Sequence, residues 1–446
     1  MIKISNFASI FSITSSILFW GAVLWVFLRI IVKALGHDDV RILKLPSIGA
    51  AARKLAADLI PEKLSTNVNI KIIIFGMGIR IAMLLLGYLF LHIAGLDASF
   101  AGVFNSFNRW DAPHYLNLAE IGYSWTENDR PLLVVFFPLY PYAIRLVSLV
   151  VGNYLAAAYI VSFVSYLAGL CYLYHLVRLD FKATTAWWAV VLISIFPHSI
   201  FFGAPHTESL FLLTTAMTLY YIRTHKWLLA GVAGAFAAAT RMVGILLLVV
   251  AAVEFVTTYK LFTLMKKNHW NTFFSLVGKK GLPILLMLAG TLLYLFINWY
   301  ITGDPLRFLY YQSYNWNNGF RYFGVAMRAQ FYRILPYIGS PFETSMLYIA
   351  APNIWGFALG IWMIVYATLK RRNAAYIVYA LSYTFVSFSM IWLLSGGRYA
   401  AALVPTFIFL ADYVDRKPHR RMLVPLIFLL LLLPILRMYV LGGFVM

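Results

Sequence analysis

Apolar runs of membrane-spanning length recur from one end of the chain to the other. The intervals 7–34, 70–95, 154–177, 184–201, 205–222, 227–240, 242–258, 282–302, 346–369, 375–394, 399–413 and 422–441 each read as a membrane segment, divided by short polar stretches. Short segments of alternating polarity, the mark of a membrane β-barrel, do not occur. The pattern predicts an all-α polytopic membrane protein with about twelve crossings. Residues 135–151 open with FFPLYP, and two prolines in so short a run predict a re-entrant or surface-lying helix. Residues 47–64 set Ile48, Leu55, Leu59 and Ile60 against Arg53, Lys54 and Lys63, the pattern of an amphipathic surface helix. The run 7–34 is too long for a secretory h-region and lacks a small-residue cleavage site.

Charge orients these segments. The chain has 446 residues, 62% hydrophobic and 12% charged, with a mean hydropathy of +0.80. The charged fraction is about half that of a soluble domain. The net charge of +20 does not call for nucleic acid, because the bases cluster in short loops: Arg29, Lys33, Arg41 and Lys44; Arg178 and Lys182; Lys260, Lys266, Lys267, Lys279 and Lys280; Lys370, Arg371 and Arg372; Arg416, Lys417, Arg420 and Arg421. The positive-inside rule makes these loops cytoplasmic and puts both chain ends outside. The expected organisation is an extra N-terminal helix with a cytoplasmic amphipathic segment (1–69), then a transmembrane catalytic domain (70–446) with external loops 96–153 and 303–345. Arg307, Arg321, Arg328 and Arg333 in the second external loop go against the rule and so have another expected role. Cys171 is the single cysteine, which excludes an internal disulfide and argues against a cysteine metal site. Neither a Walker loop nor a GxGxxG after a strand is present, which argues against nucleotide-driven chemistry.

The polar motifs then fall on one face. NRWDAPHY (108–115), FFPLYP (136–141), PHSIFFGAPHTES (197–209), GDPLRFLYYQSYNWNNGFRY (303–322) and SGGRY (395–399) all lie at the external side of an orientation derived only from Lys and Arg. Convergence of this kind predicts a binding or catalytic site. Its centre is the isolated carboxylate Asp111, between Trp110 and Pro113, with His114 and Tyr115 on the same face of a helix starting at Ala112 and a stop at Gly122. Asp111 is either a helix cap or a reacting group. Glu208 heads an apolar run beside His206 and Thr207, where it either complements a helix N-terminus or serves the site. Arg241 and Arg398 stand where helices break or turn at the outer side. Such arginines need partners, either protein acids and carbonyls or a lipid phosphate that matches the guanidinium fork. Arg80, mid-span, is expected to be structural. His114, His198 and His206 show no metal-ligand spacing, and neither metal nor cofactor is expected.

A lone acid restricts the chemistry. Hydrolysis of a glycoside uses two carboxylates, since the leaving alkoxide must be protonated. A sugar phosphate loses a stable anion, so an arginine replaces the acid and one carboxylate suffices as base on an acceptor hydroxyl. An outside site favours a lipid-borne donor over a cytoplasmic nucleotide sugar.

At these residues the chain resembles the PIG-V-like mannosyltransferases, GT-C membrane glycosyltransferases that include the second mannosyltransferase of GPI-anchor synthesis. RWDAPHYLNLAEIGY (109–123), FFPLYPYAIRL (136–146), PHSIFFGAPHTESLF (197–211), ATRMVG (239–244) and GDPLRFLYYQSYNWNNGF (303–320) carry the likeness, collinear over roughly residues 70–400. The resemblance implies a GT-C architecture, a polyprenyl-phosphate-mannose donor and metal-independent inverting transfer at the external face. It matches Asp111 to the acidic residue of the first outer loop, and His114, Glu208 and Arg241 to polar positions of the family motifs. The acceptor stays open: a lipid, glycan or protein hydroxyl. On this reading Arg241 and Arg398 hold the donor phosphate. Trp110, Tyr115, Tyr140, His206, Trp316 and Tyr322 line the substrate cleft, between the first outer loop and loop 303–345.

Two other readings stay open. A flippase of a lipid-linked solute accounts for the hydrophobicity and the intramembrane arginines, but not for polar groups gathered at one face without an internal repeat. A non-catalytic subunit of a two-protein transferase would use the same loops to dock its partner.

Overall fold

The computed structural model describes residues 2–37, 66–123, 131–334 and 344–445. The expected amphipathic helix 47–64 lies outside the described residues. What is described is helical, with one isolated bridge between Phe320 and Met390. The protein is a multi-pass integral membrane protein. Six helical stretches are long and apolar enough to cross a bilayer: Asn6–Ala34, Asn67–Ile93, Tyr154–Arg178, Trp270–Thr302, Tyr348–Leu369 and Pro418–Val440. Leu139–Val151, Ala183–Ser194, Trp227–Thr240, Met242–Thr258 and Ala374–Phe388 are shorter apolar helices.

Polar and Gly-Pro punctuation explains where the elements break. The helix Ala112–Glu120 starts at the Ala-Pro pair and ends before Gly122, whose φ of +84° only glycine adopts freely. Arg145 closes its C-terminus, donating to the carbonyls of Ala119 and Glu120. The helix Trp227–Thr240 stops where Arg241 turns extended, and a short 3-10 turn, Met242–Leu246, restarts the chain. FFPLYP opens the helix Leu139–Val151, whose 13 residues give about 20 Å by helical rise, short of a roughly 30 Å hydrocarbon core.

Two intervals read as loops are largely helical. The lysine-rich interval 259–281 contains Leu261–Lys266 and Trp270–Leu276, the second continuing into the long stretch that ends at Thr302. Leu261 joins the main core and Leu264, Phe273 and Val277 pack against it, while the five lysines of the interval read as a loop. Interval 303–345 contains Arg307–Trp316 and Phe323–Ile334.

The main core packs Tyr154–Arg178 against Glu208–Arg223, and that helix against Trp227–Thr240. Close approach rests on glycine: a Cβ on Gly290 would fall 2.0 Å from the carbonyl oxygen of Ala235. The N-terminal helix Ile2–Ala34 is fastened along Phe323–Ile334, with Ser12 donating to the Gly324 carbonyl at 2.7 Å and Trp20 to the Tyr322 hydroxyl at 3.1 Å. Arg80 donates to the carbonyls of Ser199 and Ser194 and to Tyr166, the structural role expected of it.

Candidate active site

Four residues from four separate motifs meet in one chain of ion pairs. Arg398 Nη1 donates to Asp111 Oδ2 at 2.7 Å and its Nε to Glu208 Oε1 at 2.8 Å. Arg241 Nη1 donates to the same Glu208 oxygen at 2.9 Å. The order is Asp111, Arg398, Glu208, Arg241: two acids and two bases with no net charge. Buried charge is tolerated only when paired in this way.

Each member is placed by a break in local structure. Asp111 occupies the N-cap position of Ala112–Glu120, yet its side chain caps nothing. Its carboxylate is turned to Arg398 instead, so capping does not account for it. Trp110, just before it, has a φ of +59°, a strained conformation for an aromatic residue. Arg109 pins this strand of chain by donating to the carbonyls of Ser106 and Val440. Glu208 is the first residue of Glu208–Arg223, where the helix dipole favours an acid. Arg241 leaves the end of Trp227–Thr240, and Arg398 sits in the short helix Gly396–Ala402.

The relay is graded in exposure. Glu208 is 0% exposed and the Arg398 side chain 5%, whereas the Asp111 side chain is 31% exposed. Asp111 is therefore the most open member of the relay, ahead of Arg241 at 15%. Burial acts to raise the pKa of Asp111, but the charge and hydrogen bond of Arg398, together with His206, hold the carboxyl below its usual range. Glu208 Oε2 is buried without a hydrogen-bond partner. The Arg398 guanidinium lies 4.8 Å over the ring of Phe201, and that of Arg241 5.7 Å over both Phe211 and Tyr399.

The remaining expected residues divide into neighbours and supports. His206 is buried, stacked on Phe201 and hydrogen-bonded through Nε2 to the Tyr439 hydroxyl at 3.2 Å. Trp110 packs against Phe444, with its indole nitrogen buried and unpartnered. His114 lies 5.3 Å from Phe136, which meets Trp316 edge-on at 6.3 Å. Phe136 thus links the first outer loop to the 307–316 helix. Tyr115 and Tyr140 pack edge-on at 5.2 Å inside a buried cluster, and Tyr140 bonds to Ser162 at 2.8 Å. Neither offers an open ring face, so their present contacts are those of supports. Tyr322 is held by Trp20, away from the relay. Among the described residues, no three His, Cys, Asp or Glu side chains gather as a metal site.

Sequence reading missed the residues that hold the SGGR turn. Asn353 in an apolar run and Gln330 between Arg328 and Arg333 are both buried polar groups, and His198 was considered only as a metal ligand. A buried asparagine directly after a mid-helix proline, Pro352, was the available signal.

A model of the dolichyl-phosphate-mannose-protein mannosyltransferase family matches residues 129–278. The interval includes Glu208 and Arg241. Over this interval, about a third of the chain, the protein is similar to that family. Similar solved structures include two of the Archaeoglobus fulgidus oligosaccharyltransferase. The apo form has a TM-score of 0.38 at 11% identity, covering 83% of this chain and 55% of that one. Its complex, as AglB, with an inhibitory peptide and a dolichol-phosphate has a TM-score of 0.41 at 13% identity, covering 83% and 56%. This chain spans little more than half the length of those proteins. Among curated proteins, none matches it significantly in sequence.

Proposed function

We propose that the protein transfers a mannosyl residue from a polyprenyl-phosphate-mannose donor to a hydroxyl acceptor at the external face of the membrane, with inversion and with Asp111 as general base. The observation that supports this most directly is the relay itself: a partly exposed carboxylate coupled to a buried arginine that is anchored from behind. The family match supports a lipid-phosphate donor.

The donor phosphate competes for Arg398. Of that arginine's two carboxylate partners, Glu208 is sealed in and Asp111 is open, so the phosphate displaces Asp111 and leaves Glu208 in place. Asp111 then loses its neutralising cation and becomes a better base. It takes the proton of the acceptor hydroxyl as the acceptor oxygen bonds to the anomeric carbon. The bond from that carbon to the phosphate oxygen breaks on the opposite side. The phosphate leaves as an anion held by Arg398, with Arg241 adding positive charge from behind Glu208. No metal takes part in this scheme. His114, Phe136 and Trp316 form the aromatic wall against which the sugar or acceptor lies. The all-helical membrane fold is in keeping with a GT-C architecture.

The test is transfer of mannose from polyprenyl-phosphate-mannose by membranes carrying the protein and by the purified chain. Product from the purified single chain is expected. Its absence, with activity restored by a second protein, would favour the non-catalytic subunit reading. Solute flux in proteoliposomes without any glycosyl product would favour a transporter.

A further inference from the structure

Arg398 is held at the centre of the relay by a short turn, Ser395-Gly396-Gly397-Arg398, which has no room to move. A Cβ on Gly396 would fall 2.5 Å from Asn353 Oδ1 and 3.0 Å from its Cα. A Cβ on Gly397 would fall 2.3, 2.4 and 2.6 Å from Nε2, Cε1 and Cδ2 of His198. The turn is thus pressed between an asparagine on the helix Thr344–Leu369 and an imidazole from the PHS motif.

The asparagine side is a complete polar network. The Gly396 amide donates to Asn353 Oδ1 at 2.7 Å. Asn353 Nδ2 donates to the Leu393 carbonyl at 2.8 Å and to Gln330 Oε1 at 3.1 Å. Gln330 Nε2 donates to the same Leu393 carbonyl at 3.1 Å. Asn353 and Gln330 are both fully buried, and every proton of the Asn353 amide is used. A satisfied network in a low-dielectric interior is rigid, and its geometry is specific.

The histidine side works differently. His198 is 0% exposed, and neither ring nitrogen has a hydrogen-bond partner. Its ring sits between Phe201, 6.4 Å away and nearly parallel, and Trp355 at 5.9 Å. A substrate has no access to it. The ring serves as a flat wall against which Gly397 closes, one residue before Arg398.

We infer that Asn353, Gln330 and His198 are positioning residues that fix the Ser395–Arg398 turn and so hold the Arg398 guanidinium between Asp111 and Glu208. This deepens the functional reading above and rests on it. Misplacing a catalytic group by about 1 Å costs on the order of 100-fold in rate. Two glycines in succession are required because each faces a wall at contact distance.

The test is a clash and its relief. Gly397→Ala is expected to lower kcat/KM for the lipid-phosphate donor by about 100-fold. The double variant His198→Ala with Gly397→Ala removes the wall that the new methyl group strikes, and is expected to regain roughly tenfold of that loss. Asn353→Leu removes both sides of the amide network and is expected to act in the same direction as Gly397→Ala. A displaced Arg398 no longer faces Asp111, so the acid limb of the pH profile should move upward in Gly397→Ala and Asn353→Leu. A merely structural defect would lower the amount of folded protein and leave that limb unmoved. Wild-type kinetics in Gly397→Ala, or a double variant no better than the single one at equal folded protein, would overturn the inference. If Gly397→Ala does not accumulate, His198→Ala alone carries the test, and unchanged kinetics with an unchanged acid limb would overturn it. Arg398→Ala is run beside these. Full activity in Arg398→Ala would sink the functional reading itself, whereas an inactive Arg398→Ala beside fully active turn variants would sink only the positioning role.

Discussion

One helix, Glu208–Arg223, carries an ion cluster at each end, and the two clusters differ in what they leave unfinished. At the C-terminal end, Arg223 holds Asp180 with two bonds, at 2.6 and 3.0 Å, and meets Glu254 at 3.2 Å and the Tyr376 hydroxyl at 3.0 Å. Tyr376 in turn donates to Asp180. Every group answers another, and the cluster ties four parts of the chain together. At the N-terminal end, Glu208 keeps one buried oxygen without a partner, and the last carboxylate of the relay, Asp111, stands partly open. Both ends obey the same dipole logic, an acid in the first turn and a base in the last. A fastening satisfies its polar groups, whereas a site holds some of them ready for a substrate.

The largest effect expected from this contrast is at Asp111. Asp111→Asn keeps shape and removes the base, so transfer should fall by about 10²–10⁴-fold with normal protein levels. Near-wild-type mannose transfer would put Asp111 on the fastening side of the comparison. Glu208→Ala strands Arg241 and leaves Arg398 with Asp111 alone, a change that costs on the order of 3–5 kcal/mol. It should reduce both the melting temperature in detergent and the activity of the protein that remains. Asp180→Asn weakens the satisfied cluster by about 1–3 kcal/mol, and less where solvent screens it. It should lower the melting temperature while the turnover of each folded molecule stays the same; a matching fall in turnover would mean the two ends are not separate in function.

The smallest effect is in pH. The folded-state pKa of Asp111 is depressed, so its pairing with Arg398 contributes stability above the ordinary carboxylate pKa of about 4. That contribution is lost as pH falls through the depressed value. In Arg398→Ala that contribution is absent, so the melting temperature should fall less on acidification than in wild type. Thermal melts of both proteins between about pH 3 and pH 6 would show it. Coincident curves would remove the ion pair from the resting state.

Much of this was legible in the chain. Asp111, Glu208, Arg241 and Arg398 each stand out as a charge beside an apolar run, and charge bias placed their motifs on one face. The helix break at Arg241 and the stop at Gly122 follow from local chemistry. The partners were not legible. Arg241 and Arg398 were expected to hold a phosphate, yet in the resting protein both are held by Glu208, and Arg398 by Asp111 as well. Tyr140 reads like a sugar-stacking ring, but it is enclosed and bonded to Ser162. Asn353 and Gln330 passed unnoticed because an amide, whether in an apolar run or between arginines, gives no sign of which carbonyl it will meet.

The sequence by itself determined the membrane class, the helical elements and the set of charges worth watching, because hydrophobic length and local breaks act within a few residues of the chain. Only the tertiary structure decided which charges answer one another. Asp111 and Arg398 are separated by 287 positions, and their pairing depends on how the helices between them pack. Exposure, too, is a property of packing: it left Asp111 open and sealed Glu208, and that difference divides the proposed base from its anchor.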